Sequence, residues 1–247
     1  MTVEILTAYL RAIKQALAKK KRPLALILAG HNGSGKSTLW YSHLAEQLQI
    51  PLINADRMML SILPEVDKAA ALPAWAIQIR DQHESWMLIA QKGVEAFVAQ
   101  AVEKKVPFAM ETVFSHLKQD ANGRVIESKI DKIHQLQKQG YFVLLLFVGL
   151  TSKDLSIARV KTRVSKMGHN VAEEKLVRRF PRTQKAMTLA LEEADATVLV
   201  DNSRKIEEAF TLCRAQIKGK ILFDLRNQKN EAVPPEIKAW LDVVCPV

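Results

Sequence analysis

Cysteine is scarce in this chain: two residues, Cys213 and Cys245, in 247 positions. They form no C-x-x-C pair and have no neighbouring pair of histidines, so a disulfide framework and a zinc site are unsupported and a reducing compartment is expected. Aromatic residues make up only 6%, which argues against a surface built for base stacking. No apolar run reaches the roughly 18 residues needed to cross a bilayer. The opening MTVEILTAYL lacks the basic n-region and long apolar core of a signal peptide. A soluble cytoplasmic protein, with no membrane association, is the expectation. No Ser/Gly-rich linker or internal repeat interrupts the chain, so one domain over 1–247 is expected, with 1–22 as an N-terminal helix and 225–247 as a C-terminal extension. Negative charge is also short: 26 Asp and Glu against 36 Lys and Arg leave a net +10. That balance suits an anionic ligand, whether nucleotide, sugar nucleotide or nucleic acid. Solvated surface charge explains the excess at least as well, so nucleic acid is the less favoured partner.

What is present is concentrated in Leu24 to Thr38. An apolar run, LALILA, feeds into Gly30-His31-Asn32-Gly33-Ser34-Gly35-Lys36-Ser37, which fits G-x-x-x-x-G-K-[ST] at every fixed position. Glycines at 33 and 35 let successive backbone N–H groups curl around phosphate oxygens. Lys36 reaches the outer phosphates, and the Ser37 hydroxyl is placed to ligate Mg²⁺. Gly30, Asn32, Gly33, Ser34, Gly35, Lys36, Ser37 and Thr38 are therefore the nucleotide-binding candidates. Trp40, Leu44 and Leu48, spaced by four, supply the helix that the motif requires after its strand.

The rest reads as alternating helices and strands. Leu6, Tyr9, Leu10, Ile13 and Leu17 make an amphipathic helix over 3–20, closed by Lys19-Lys20-Lys21-Arg22 before Pro23. Ile50 to Asp56 reads as a second strand with Asp56 at its C-terminal end. A helical region follows whose last part carries Trp86, Ile89, Val94, Phe97, Val98 and Ala101 on one face, a stripe expected in the core. Pro107 to Thr112 reads as a third strand, ending in Glu111-Thr112. A polar helix is expected over 124–138, then the long buried strand Tyr141 to Val148. Thr151 with Asp154 resembles a capping box opening a helix to about Lys166 that carries Arg159 and Arg163. Gly168 breaks it, and a second helix from Glu173 carries Arg178, Arg179 and Arg182. Ala196 to Val200 is the next strand, Ser203 an expected helix cap, Gly219 to Asp224 an edge strand, and Pro234-Pro235 the start of a final helix. The pattern implies a three-layer α/β/α P-loop fold of kinase type with a mostly parallel central sheet and an arginine-bearing helical lid over 151–183. Ligands bind at strand C-termini in such sheets, where the P-loop, Asp56, Glu111 and Asp201 should meet.

Phosphoryl transfer to a hydroxyl needs a carboxylate opposite the γ-phosphate and cations above it. Asp56 is the candidate proton acceptor; Glu111 is placed to hold a substrate hydroxyl or a water on Mg²⁺. The lid arginines suit fork-like contact with phosphate oxygens, and spacing does not choose among them. A switch GTPase would carry N-K-x-D, whereas Asn227-Gln228-Lys229-Asn230 has neither that order nor the Asp. A kinase of another metabolite or of a nucleic-acid end, and a nucleotide-dependent switch or assembly ATPase, are the alternatives.

At these residues the chain resembles a family. GHNGSGKST, INAD, ET, RVxxRVxxxGHxV, RRFxR and DNS, in this order over about 24–203, are similar to the zeta toxin family of P-loop kinases. The resemblance implies an ATP- and Mg²⁺-dependent kinase that phosphorylates UDP-N-acetylglucosamine or a related sugar nucleotide, with an antitoxin protein as a possible partner. It implies that Lys36 and Ser37 serve ATP and Mg²⁺, that Asp56 activates the hydroxyl and joins Ser37 at the metal, and that Glu111, Thr112 and Ser115 contact the sugar. Arg159, Arg163 and Arg179 would face phosphates. The chain departs from the pattern at Met167-Gly168-His169-Asn170-Val171-Ala172, where relatives read Gly-Gly-His-x-Val-Pro, and at Val113, where a second Thr often follows Glu-Thr.

Overall fold

The computed structural model describes residues 3–64, 72–82, 84–165, 171–228 and 232–246. In α1 (Val3–Lys19) the predicted stripe buries Leu6, Leu10 and Leu17. The chain enters β1 (Leu24–Gly30), buried at every residue. It turns through the glycine loop into α2 (Lys36–Leu39), then through a π-helical turn at Trp40–Leu44 into α3 (Ala45–Leu48). Next come β2 (Leu52–Ile53), α4 (Ala55–Ser61), α5 (Ala74–Gln82), α6 (Glu84–Glu103), β3 (Phe108–Thr112), β4 (Leu117–Gln119), β5 (Val125–Ser128) and α7 (Ile130–Lys138). The second half runs β6 (Phe142–Gly149), α8 (Lys153–Ser165), α9 (Glu173–Ala190), β7 (Ala196–Asp201), β8 (Thr211–Ile217), β9 (Lys220–Asp224) and α10 (Pro235–Val244).

Seven strands form one sheet in the order β2-β3-β1-β6-β7-β8-β9. Pairings from β2 to β7 are parallel; β8 and β9 add antiparallel. The period-two alternation of strand side chains divides β1 between two cores. Leu24, Leu26 and Leu28 pack with α1 and the Leu39–Leu48 helical stretch, while Ala25, Ile27 and Ala29 pack with residues of α6, α7, α9 and α10. Helices thus cover both faces, the expected three-layer arrangement. Each fully buried leucine or isoleucine contributes about 1.5–3 kcal/mol, so the paired layers dominate the stabilisation. The register sets Leu28 opposite Glu111, Gly30 opposite Val148 and Gly149 opposite Asp201. The strand ends therefore emerge together around the glycine loop.

Several expectations are corrected. The segment 124–138 is not one helix: β5 occupies Val125–Ser128 and pairs with β4 as a separate hairpin before α7. Asp56 lies in the first turn of α4, because Asn54 caps that helix and β2 stops at Ile53. Of the α6 stripe, Val98 is buried and Val94 and Ala101 are partly so, but Ile89 and Phe97 are each 61% exposed and Trp86 is 38% exposed. The helix over 153–165 is capped by Ser152, whose hydroxyl accepts the Leu155 N–H at 3.2 Å; the Thr151 N–H instead donates to Ser203 Oγ. Ser203 caps no α-helix. Its hydroxyl donates to Asp201, and the chain goes on through a 3₁₀ turn at Ile206–Glu208 into β8, a strand the sequence reading omitted. Lys166, Met167, Gly168, His169 and Asn170 lie outside the described residues. Both cysteines are buried and free, and no helix among the described residues is long and apolar enough to cross a membrane.

Candidate active site

β1 ends at Gly30, where a Cβ would lie 2.2 Å from the Val148 carbonyl oxygen of β6. The close fit of loop against sheet therefore requires glycine. Gly33 and Gly35 turn the chain through left-handed φ values of 72° and 88°. Two groups from distant elements hold the loop. Asn202, just past β7, donates from Nδ2 to the Ser34 carbonyl at 2.8 Å; Ser156 of α8 donates from Oγ to the Asn32 carbonyl at 2.6 Å.

Lys36 is buried, and its ammonium donates to the carbonyls of Gly30 and His31 at 3.1 and 2.9 Å. It also lies 3.9 Å from Glu111 Oε1. Burial holds its pKa below the ordinary lysine value; Arg163 acts in the same direction, and Glu111 and Asp56 oppose it. The Ser37 hydroxyl lies 3.1 and 3.3 Å from the two Glu111 carboxylate oxygens. Asn54 has two roles. Its Nδ2 donates to Glu111 at 2.6 Å, and its Oδ1 accepts the Arg57 N–H at 3.2 Å, the N-cap bond of α4. Such a cap contributes about 1 kcal/mol. Asn54 therefore aims Glu111 while starting the helix that carries Asp56. The Asp56 side chain is exposed, yet close enough to act on the charges of both Lys36 and Arg179.

The arginine helices rest on the same loop. The Arg159 Cβ lies 3.1 Å from where a Gly33 side chain would begin. Burial lowers the Arg159 pKa, and Asp201 opposes this. Asp201 itself is buried, which raises its pKa against hydrogen bonds from the Ser203 hydroxyl at 2.6 Å and N–H at 3.1 Å. In α9, Phe180 stacks on His31 with centroids 4.0 Å apart and planes 13° from parallel, and Phe147 meets the same ring edge-on. Burial, then the Lys36 charge, push the His31 pKa down to about 3. Burial and the like charges of Arg178 and Arg182 lower the Arg179 pKa, while Asp56 supports its charge.

Lys36, Ser37, Asp56, Glu111, Arg159, Arg163 and Arg179 are thus gathered about the loop. Arg182 is engaged elsewhere, donating to the Leu117 carbonyl of β4 at 3.0 Å. Thr112 uses its hydroxyl to accept the Phe114 N–H at 3.1 Å, and Ser115 sits half-buried between β3 and β4. Thr38 is exposed on α2, and Ser34 is fully buried behind the loop. Ser156, Asn202 and the second role of Asn54 were missed by the sequence reading. Asn202 had a signal in the DNS triplet, whereas Ser156 had none. A buried ammonium and a hydroxyl at a glycine loop, with carboxylates and guanidiniums near enough for their charges to interact, are parts that phosphoryl transfer to an alcohol uses.

A family model described as Zeta toxin matches residues 7–221. A Haemophilus influenzae protein described as uncharacterized is 27% identical over 150 residues, which cover 61% of this chain and 87% of that protein. The PezAT chromosomal toxin-antitoxin system of Streptococcus pneumoniae gives a TM-score of 0.52 at 15% identity, covering 93% of this chain and 86% of that one. The AvrRxo1-ORF1:AvrRxo1-ORF2 structure with sulphate ions gives 0.59 at 13% identity, covering 99% and 72%. The same pair with ATP gives 0.56 at 11% identity, covering 99% and 71%. At these identities the structural likeness is one of fold.

Proposed function

Because this chain belongs to the Zeta toxin family and is an ATP-dependent kinase, we propose that it transfers the γ-phosphate of ATP to a hydroxyl of UDP-N-acetylglucosamine or a related sugar nucleotide. The observation that carries the proposal is the convergence at the glycine loop of Lys36 and Ser37 from α2 and Glu111 from β3, with Asp56 close enough to favour the charge of both Lys36 and Arg179. Residues 1–247 form one kinase domain in this proposal, with 151–183 as its lid. The glycine loop, from Gly30 through Thr38, binds the nucleotide's phosphates. Lys36 exchanges its two loop carbonyls for phosphate oxygens. Asp56 accepts the proton of the attacking hydroxyl, and Arg159, Arg163 and Arg179 offset the charge that spreads over the phosphoryl oxygens. Glu111, Thr112 and Ser115 line the acceptor side. Ser37 and Asp56 would hold a magnesium ion, with Glu111 beside the Ser37 hydroxyl as a third oxygen donor; the ion would supply charge neutralisation at the phosphates.

Solved neighbours include a toxin-antitoxin system, which supports a protein partner of antitoxin kind. Exposed apolar side chains of α4 to α6, among them Leu60, Trp75, Ile89 and Phe97, are available to such a partner. Mass spectrometry of sugar nucleotides incubated with the protein, ATP and Mg²⁺ tests the acceptor. The expected product is UDP-N-acetylglucosamine carrying one added phosphoryl group. Phosphorylation confined to unrelated metabolites or to nucleic-acid ends would overturn the substrate assignment.

A further inference from the structure

A second cavity, of about 540 Å³, lies at the end of the sheet opposite the glycine loop, where Leu24 opens β1 and Pro107 and Gly140 precede β3 and β6. Three helices end there in the same way. Arg22 N–H donates to the Leu17 carbonyl at 3.0 Å, Val106 to Ala101 at 2.9 Å and Tyr141 to Leu136 at 3.1 Å, each with a companion bond from the preceding residue to the carbonyl three before it, at 3.0, 3.3 and 2.8 Å. These are Schellman closures, and each places one residue in the left-handed region. At the end of α7 that residue is Gly140, φ 81°, as the absence of a Cβ favours. At the ends of α1 and α6 it is a lysine: Lys21 at φ 51° and Lys105 at φ 53°. The backbone closure makes no use of a lysine side chain, and glycine would hold the left-handed conformation at less cost.

Both lysines line the cavity, with Lys14 and Arg22 beside them. The Lys105 ammonium donates to the Gln139 carbonyl at 2.7 Å and that of Lys14 to the Leu48 carbonyl, leaving each with further N–H groups. The Lys21 side chain has no hydrogen bond or ion pair among the described residues. Arg22 pairs with Asp195 at 3.1 Å, and that carboxylate also accepts from Gln137 and the Val143 N–H. Among the described residues no carboxylate lines the cavity. Four side-chain cations against one engaged carboxylate outweigh the roughly half negative charge that each helix C-terminus contributes. Leu17 and Leu24 give the cavity an apolar floor.

We propose that this cavity is a second binding site, separate from the glycine loop, for a phosphorylated small molecule of nucleotide size. The lysines take its phosphate, and the apolar floor takes a flat ring that inorganic phosphate lacks. The volume falls within the roughly 300–1,000 Å³ of small-molecule sites.

Calorimetry on the full chain tests the site, with the glycine loop first saturated by a non-hydrolysable ATP analogue and Mg²⁺. Titration with AMP should then show one further binding event. In K21G/K105G that event should weaken by at least about tenfold, since two charge-assisted contacts are lost, while the melting temperature stays equal or rises because glycine relaxes both turns. Affinity should fall several-fold between about 50 and 200 mM salt. Pyrophosphate should be lost in the same variant but bind the wild type more weakly than AMP. Absence of the second event, AMP binding unchanged in K21G/K105G, or a lowered melting temperature that marks the lysines as structural caps would overturn the proposal. A single-stranded oligonucleotide binding far more tightly than AMP, and losing that advantage in the variant, would overturn the small-molecule assignment.

Discussion

His31 is a histidine that the fold keeps uncharged. Its ring is 1% exposed, lies between Phe147 and Phe180, and faces a buried lysine. The unfolded chain binds a proton there near pH 6.5, the folded chain only near pH 3. Between those values the unfolded state holds more protons, so stability falls as pH drops through that window. The loss attributable to His31 between pH 7 and pH 5 should be about 2 kcal/mol, at 1.36 kcal/mol per unit. His31→Phe keeps a stacking ring and removes the proton site, so urea unfolding at the two pH values should show a difference smaller by about that amount. An equal difference in both proteins would contradict the assignment. At this scale the loop itself was legible because its chemistry is written in adjacent residues. Asn202 and Ser156 were not, since they reach the loop from 168 and 124 residues away and only the tertiary fold brings them there.

Elements were legible where hydrophobic period and length agreed. α1, β1 and β6 match their sequence patterns, and β9 is the expected edge strand. Polar residues around Val125 and Ile126 masked β5, a strand too short to show alternation, and the polar DNS turn concealed the 3₁₀ passage into β8. The apolar stripe of α6 pointed correctly to a helix and wrongly to its complete burial, because periodicity reports which residues share a face and not whether anything covers it. The added strands carry their own fastening. Asp224 at the end of β9 is buried and accepts from Arg214 of β8 at 3.1 Å and from Arg226 at 2.7 Å; Arg226 continues to Asp242 and the Cys245 carbonyl of the C-terminal segment. Asp224→Ala leaves two nearly buried guanidiniums without that partner and should destabilise the protein by about 3 kcal/mol or more. Chemical denaturation checks this value, and a loss below about 1 kcal/mol would show that β8, β9 and α10 are held by their apolar contacts instead.

For the molecule as a whole, strand order places the glycine loop at the centre of the sheet, between β3 and β6, with every functional group delivered from a strand end or from a helix leaning on the loop. The order of motifs along the chain made this layout legible. The net charge did not reveal that basic residues gather at both ends of the sheet, around the loop and around the second cavity, because composition carries no positions. Phosphoryl transfer to a bound hydroxyl is the central claim, and Asp56 separates it from simple hydrolysis of ATP. The most direct measurement is phosphorus NMR of ATP, Mg²⁺ and UDP-N-acetylglucosamine with wild type and Asp56→Asn, alongside calorimetric binding of ATP. The wild type should form the phosphorylated sugar nucleotide. Asp56→Asn should still bind ATP and lose about 10²–10⁴-fold in transfer, the range of a positioned general base. Undiminished transfer in Asp56→Asn, or ATP hydrolysis by the wild type with no phosphorylated sugar nucleotide, would contradict the account.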